Sequence, residues 1–245
     1  GLAQRDPTRQ REAEIVHLLE ESRKSLAKGG SVLIPVFALG RMQEMLVVID
    51  EAIKRGAIPK VPVFCSGLGM DLVNHFHQIS KNTTRIRFNR KVLRSLGAQP
   101  IPRNIEPGQA PPMQGIYLVS SGMLVEHTPS YVMASSMLGD QHNCILFVGY
   151  CDPSTPGGKL LANRNDSSFE FEAYNHIEQI KAKIRQFDLS GHADRDQLLA
   201  YAEKLSPKTI FLTHGDPGAR EWFMESLKDN GAKIINPEPL TFYET

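Results

Sequence analysis

The feature that most constrains this chain is the alternation of short, unbroken apolar runs with segments of helical periodicity. After Ser31, the run Val-Leu-Ile-Pro-Val-Phe37 contains no polar residue. A strand with one wet face alternates apolar and polar side chains, so a continuous run marks a strand buried on both faces. Val61 to Cys65, Gly115 to Ser120, Cys144 to Tyr150 and Thr209 to Thr213 are runs of the same kind. Helical patterns occupy Glu12 to Lys28, Met42 to Lys54, Leu68 to Ile79, Pro129 to Leu138, Asp194 to Leu205 and Pro217 to Asn230. In the first of these, Ile15, Leu18, Leu19 and Leu26 form the apolar stripe, Glu14, Glu20, Glu21 and Lys24 the solvated face, and Gly29-Gly30 the stop. Strands alternating with helices specify an α/β fold, a parallel sheet with helices on both faces. Such sheets place their ligands in the loops beyond the carboxyl ends of the strands.

Two stretches break this rhythm. Gln99 to Pro112 holds five prolines and is expected to be a loop or extended crossover outside the sheet. Pro153 to Ser168, with Pro-Gly-Gly and Asn-Arg-Asn-Asp, is expected to be a loop as well. Phe169 to Ala173 and Ile177 to Phe187 alternate as extended chain does, and should return to another part of the molecule. Tyr117, Phe147, Tyr150 and Phe37 fall in the strand runs and are expected in the core.

A chain of 245 residues can bury one large core or two smaller ones. Its 28 basic and 27 acidic residues leave a net charge of +1, so nothing global announces a polyanionic partner. Locally the balance is different. No acid occurs between Asp71 and Glu106, while Lys81, Arg85, Arg87, Arg90, Lys91, Arg94 and Arg103 do, with Phe88 among them. Such a stretch suits a phosphate backbone, the alternative being a solvated face balanced elsewhere. No apolar run approaches the roughly 18 residues of a membrane span, so no membrane partner is expected. Cys65, Cys144 and Cys151 form no C-x-x-C pair and read as reduced core thiols in a cytoplasmic chain.

Six of the eight histidines, His17, His75, His77, His127, His142 and His176, stand at no metal-ligand spacing and read as ordinary surface or hydrogen-bonded residues. His192 and His214 differ. His192 lies in the turn Ser190-Gly-His-Ala-Asp194 before a helix, and His214 follows the run Thr209 to Thr213 just before Gly215-Asp216 and another helix. An imidazole beside a helix N-terminus suits an anionic phosphate together with proton transfer or metal ligation, but a turn histidine is as often a simple cap. Spacing alone leaves both readings open.

Ser190-Gly-His-Ala-Asp194, then Leu198-Leu199, then Ile210-Phe-Leu-Thr-His-Gly-Asp216 resemble the C-terminal part of the β-CASP branch of the metallo-β-lactamase superfamily. These nucleic-acid-processing hydrolases include the pre-mRNA 3′-end endonuclease and ribonuclease J. Upstream, Gly30-Ser-Val-Leu-Ile-Pro-Val-Phe-Ala-Leu-Gly-Arg-Met-Gln-Glu44 resembles the family's GG-x-VLIP-x-FA-x-GR-x-QE block, and Ser120-Ser-Gly-Met123 its SGM loop. Val148-Gly-Tyr150 with Gly157 and Leu160-Leu161 is similar to its VGYQ…G…LL segment, and Arg9 to Ile15 to its R…REA opening. The blocks run in family order over nearly the whole chain.

The resemblance implies a β-CASP domain over residues 1–185, a parallel sheet with helices on both faces. It implies that residues 186–245 are C-terminal βα units of a metallo-β-lactamase αββα sandwich. It gives His192 the role of general acid to the leaving oxygen and His214 that of a zinc ligand, and the latter favours RNA over DNA. Ser190, Gly191 and Ala193 would touch substrate phosphate, and Ser120, Ser121 and Gly122 would line the same groove; Arg85, Arg87 and Arg90 are expected to bind substrate from the charge of the basic stretch, a feature the family pattern does not predict. The parent enzyme would be a zinc-dependent ribonuclease with two ions, which could generate hydroxide and clamp the phosphate. The family's HxHxDH motif is not in these 245 residues, and the chain opens Gly1-Leu2-Ala3 without Met. The expectation is therefore an excised piece that needs an N-terminal metallo-β-lactamase portion of the same protein and holds zinc weakly or not at all by itself. Cys65-Ser-Gly-Leu-Gly-Met70 stands where many members have DSP-x-A, and Val125-Glu126-His127 where Gly-Gly is common. Alternatives are a non-catalytic RNA-binding or scaffold homologue and a DNA-directed nuclease; a homodimer is left open.

Overall fold

In the computed structural model, residues 11–83, 88–189 and 191–243 are described, and they fall into two compact units meeting between Leu189 and Ser190. The larger, residues 11–189, is built on a six-stranded sheet. Its strands are β1 (Val32–Pro35), β2 (Val63–Cys65), β3 (Gln99–Pro100), β4 (Ile116–Val119), β5 (Cys144–Phe147) and β8 (Lys183–Gln186), in the order β3-β2-β4-β1-β5-β8. Every pairing in it is parallel.

The unbroken apolar runs follow from burial on both faces. Val32, Ile34 and Val36 pack with Leu18 of α1 (Arg11–Ala27) and Met45, Leu46 and Ile49 of α2 (Arg41–Lys54). Leu33, the residue between, joins Tyr117, Val119, Ile145 and Phe147 against α5 (Pro129–Met137) and α6 (Pro156–Ala162) on the other side. Helices α3 (Gly67–Lys81) and α4 (Lys91–Leu96) complete the first layer through Val73, Val92 and Leu96. A buried Asn143 accepts from the Ser31 amide at 2.7 Å and donates to the Met137 carbonyl at 3.1 Å, joining the starts of β1 and β5.

The strand order carries the functional consequence. From β1 the chain crosses one face through α2 to β2, and from the neighbouring β4 it crosses the other face through α5 to β5. The connections leave adjacent strands in opposite directions, which opens a crevice beyond their carboxyl ends.

Four expectations are corrected. Gln99 to Pro112 is not wholly outside the sheet: Gln99–Pro100 forms β3, paired with Phe64 and Cys65, and the Ile101 amide donates to Cys65 O at 3.2 Å. Pro100 is tolerated because β3 is an edge strand. Pro153 to Ser168 contains α6, since Thr155 accepts from the Gly158 amide at 3.2 Å as N-cap and Pro156 takes the first helical position. Phe37 and Tyr150 lie past the ends of β1 and β5 and are 48% and 42% exposed, whereas Tyr117 and Phe147 are fully buried. Glu14 is buried rather than solvated, because it accepts a hydrogen bond from the Asp188 amide at 2.8 Å.

The extended segments resolve into a hairpin and a sheet strand. β6 (Ser168–Phe171) pairs antiparallel with β7 (His176–Gln179), and β8 then closes the edge beside β5. Lys183 of β8 pairs with Glu21 of α1.

The smaller unit holds α7 (Arg195–Leu205), β9 (Thr209–Phe211), α8 (Pro217–Leu227) and β10 (Lys233–Ile235), with β9 and β10 parallel. Its core is thin: Ala219, Phe223, Leu227 and Ile235 are buried, and no residue of α7 is. Among the described residues no helix is long and apolar enough to cross a membrane.

Candidate functional site

The loops after β1, β2 and β4 interlock at the crevice. Ser66, N-cap of α3, lies 3.1 Å from Ser120, hydroxyl to hydroxyl, and its Oγ accepts from the Ser120 amide at 3.3 Å. Ser121 Oγ accepts from the Val125 amide at 2.9 Å, and the Ser120–Ser121 peptide is cis. Gly122 is buried against Phe37, whose ring and backbone nitrogen would lie 3.2 Å from a Cβ there, so the two loops approach closely and a larger residue would make Phe37 give by a few tenths of an ångström. The hydroxyls of Ser120 and Ser121 therefore brace the loop, and the loop after β1 leaves Phe37 half-exposed and Leu39 exposed beside it.

The Gly40-Arg-Met-Gln-Glu44 block serves the same loops. Gln43 is buried, accepts from the Gly40 amide at 2.7 Å, and donates to Ala38 O and Gly69 O at 3.0 Å each. Glu44 pairs with both Arg41 and Arg11. Arg11 also donates to Leu189 O at 3.1 Å, and Glu14 holds the Asp188 amide. This tie, which brings the two ends of the larger unit together, was missed in the sequence. The signal was there as paired motif residues with no assigned task, Arg11, Arg41 and Glu44.

His192 and His214 belong to the smaller unit and are both exposed. His192 precedes Asp194, the N-cap of α7. Asp194 accepts from the Gln197 amide at 2.8 Å while Gln197 accepts from the Asp194 amide at 3.1 Å. This capping box consumes the helix's own donor and leaves the turn Gly191 to Ala193 as the exposed approach. His214 stands between β9 and α8 with φ of +56°, a left-handed conformation that costs a side-chain-bearing residue about 1 kcal/mol or more. Both histidines open helices, and Arg195 at the start of α7 stacks over Trp222 of α8, 5.0 Å from its ring centroid. The two helices that these histidines precede therefore pack against one another.

Ser190, Arg85 and Arg87 lie outside the described residues. Arg90 is exposed at the N-cap of α4. From Ser66, which meets the Ser120 loop, α3 runs 15 residues, about 22 Å, before the basic segment starts.

Among the described residues no group of three or more His, Cys, Asp or Glu could hold a metal ion. A zinc site takes three or four protein ligands, so His214 with His192 does not make one by itself. The cysteines do not contribute: Cys65, Cys144 and Cys151 are free and buried, and burial pushes each thiol up to about 12.

Comparison with known proteins fixes the class. The Beta-Casp domain model matches residues 42–160, and the model of the Zn-dependent metallo-hydrolase RNA specificity domain matches residues 177–237. The chain belongs to the β-CASP family of the metallo-β-lactamase superfamily, whose hydrolases use a metal cofactor. It is 32% identical over 237 residues to the transcription termination factor FttA of Methanothermobacter thermautotrophicus, covering 86% of this chain and 34% of that protein. It is 28% identical over 251 residues to the Integrator complex subunit 11 homolog of Dictyostelium discoideum, covering 95% and 32%. With an RNase J-like protein of Methanocaldococcus jannaschii it shares 27% over 207 residues, covering 81% and 46%. The chain spans about a third of the first two relatives and under half of the third.

Proposed function

We propose that this chain is part of a zinc-dependent ribonuclease acting in RNA processing or decay in the cytoplasm. Residues 1–185 form its β-CASP domain and residues 186–245 the returning part of its metallo-β-lactamase domain. The observation that carries this reading is the pair His192 and His214. They open adjacent helices of the segment that matches the RNA specificity model, one in an exposed turn and one in a strained backbone conformation.

His192 is the general acid. Cleavage of a phosphodiester leaves an alkoxide, which is a poor leaving group at neutral pH, and a proton delivered to that oxygen accelerates its departure by about 10²–10⁴. The exposed Gly191–Ala193 backbone, with Ser190, holds the phosphate beside it. His214 supplies one ligand of a two-zinc site whose other ligands come from the remainder of the protein.

The test is cleavage of an RNA and a DNA of equal sequence by the protein that carries this chain, as isolated and with His192→Ala or His214→Ala. His192→Ala should lower kcat by about 10²–10⁴ without loss of metal, and His214→Ala should lower both metal content and rate. Full activity in His192→Ala would sink the assignment, absence of cleavage in the parent would favour a scaffold, and preference for DNA would overturn the substrate.

A further inference from the structure

The basic segment has its own place in the fold. The C-terminal ends of α2 and α3 and one side of α4 enclose an open groove of about 1140 Å³. It is open along its length rather than enclosed, unlike the cavities that bury most of a small ligand's surface. Lys81, Lys91 and Arg94 line it over an apolar floor of Phe88 and Val92. Two acids also line it: Asp50 is occupied by Lys54 at 2.5 Å and Ser95 at 2.6 Å, and Glu51 stands on the rim. Lys81, Arg90, Lys91 and Arg94 are exposed, and none forms an ion pair among the described residues.

Helix dipoles account for only part of this. Lys81 and Arg94 lie in the last turns of α3 and α4, where a cation is favoured by about 0.3–1 kcal/mol. Arg90 and Lys91 lie at the start of α4, where positive charge is disfavoured by a similar amount and no acid offsets it. Arg90 and Lys91, set against the local field on a stretch without acids from Asp71 to Glu106, call for an anion from outside, and Lys81 and Arg94 stand beside them.

We propose that this groove is a second contact for single-stranded RNA, separated from the Ser120–Gly122 loop by the length of α3, in which Lys81, Lys91 and Arg94 pair with backbone phosphates. The proposal rests on the RNA reading given above. Arg90, exposed at the N-cap of α4, extends the same holding surface.

Fluorescence anisotropy with a labelled, unstructured RNA oligonucleotide tests it on the 245-residue chain. Each phosphate contact contributes about 0.7 to the slope of log K against log salt on a single strand. Lys81→Gln/Lys91→Gln/Arg94→Gln should therefore lower that slope by about 2 and weaken binding about a hundredfold at 0.1 M salt. The replaced side chains are exposed, and an unchanged thermal melt confirms that the fold is intact. A control with the same charge loss at Arg23, Lys159 and Lys204 should change binding by less than about threefold. If the triple variant binds RNA as the unsubstituted chain does, or the control weakens equally, the groove is not the contact, while the ribonuclease reading stands. Failure of the unsubstituted chain to bind RNA overturns the groove too, and cleavage by the parent protein then decides the ribonuclease reading separately.

Discussion

Gly157→Ala is the sharpest probe of how the Ser120–Met123 loop is held. The Gly157 amide donates to Met123 O at 2.8 Å, and a Cβ built at Gly157 would lie 2.6 Å from that oxygen and 2.8 Å from its carbon. Ordinary contact begins near 3.4 Å, so backbone must move on one side or the other by roughly 0.6–0.8 Å. Overpacking of this kind costs about 1–3 kcal/mol, and a stretched hydrogen bond about 0.5–1.5 more. Alanine returns up to about 1 kcal/mol of helix propensity. The net is a loss of about 1–3 kcal/mol, or roughly 2–10 °C in Tm for a unit of this size. Urea and thermal melts followed by far-ultraviolet circular dichroism measure it. Gly67→Ala is the matched control, because nothing lies within 4 Å of a Cβ there and the residue starts α3; it should be neutral or stabilising by up to about 1 kcal/mol. Equal stability of the two variants would refute the close approach of α6 to the loop.

Two further outcomes follow from burial and charge. Burial pushes the Glu21 carboxyl up, but hydrogen bonds and charge from Lys183 and Lys24 outweigh it and hold the group below its ordinary value. A lowered folded value gives stability that is present above the unfolded value near 4.5 and is lost as pH falls through the folded one. Glu21→Gln should therefore cost about 0.5–1 kcal/mol at neutral pH and nothing once the Glu21 carboxyl is protonated in both the folded and the unfolded chain; a pH-independent difference in urea midpoint would contradict the pairing. With all three thiols raised to about 12, a disulfide reagent at pH 8 should titrate none of them in the folded chain and all three in denaturant. Rapid reaction of even one in the folded state would show that its burial is wrong.

The sheet was legible because its runs are long and its two faces equally apolar: Val32 to Val36 could hardly be anything but a buried strand. β3 was not, because two residues with a proline carry no period, and only an open edge beside β2 makes them a strand. In α6, Pro-Gly-Gly was read as a breaker, whereas the proline sits at the one helical position that suits it and the glycines admit neighbouring backbone. Phe37 and Tyr150 show the limit of reading burial from hydrophobicity, since a run does not announce where its strand stops. At the candidate site, motif order singled out His192 and His214, but it carried no sign of the length of α3, about 22 Å, that runs from the Ser120 loop to the basic segment, because that depends on topology.

The tie of Arg11 and Glu14 to Leu189 and Asp188 makes the larger unit a cassette with a single doorway. As a floppy loop, 179 residues would cost the flanking chain about 4–5 kcal/mol of closure entropy, by the logarithmic dependence on length. Folded with its ends side by side, the cassette removes that burden and presents itself to its flanks as little more than a tight turn. A unit of this kind can be lengthened, trimmed or exchanged at its far end without disturbing the sequence on either side of the doorway.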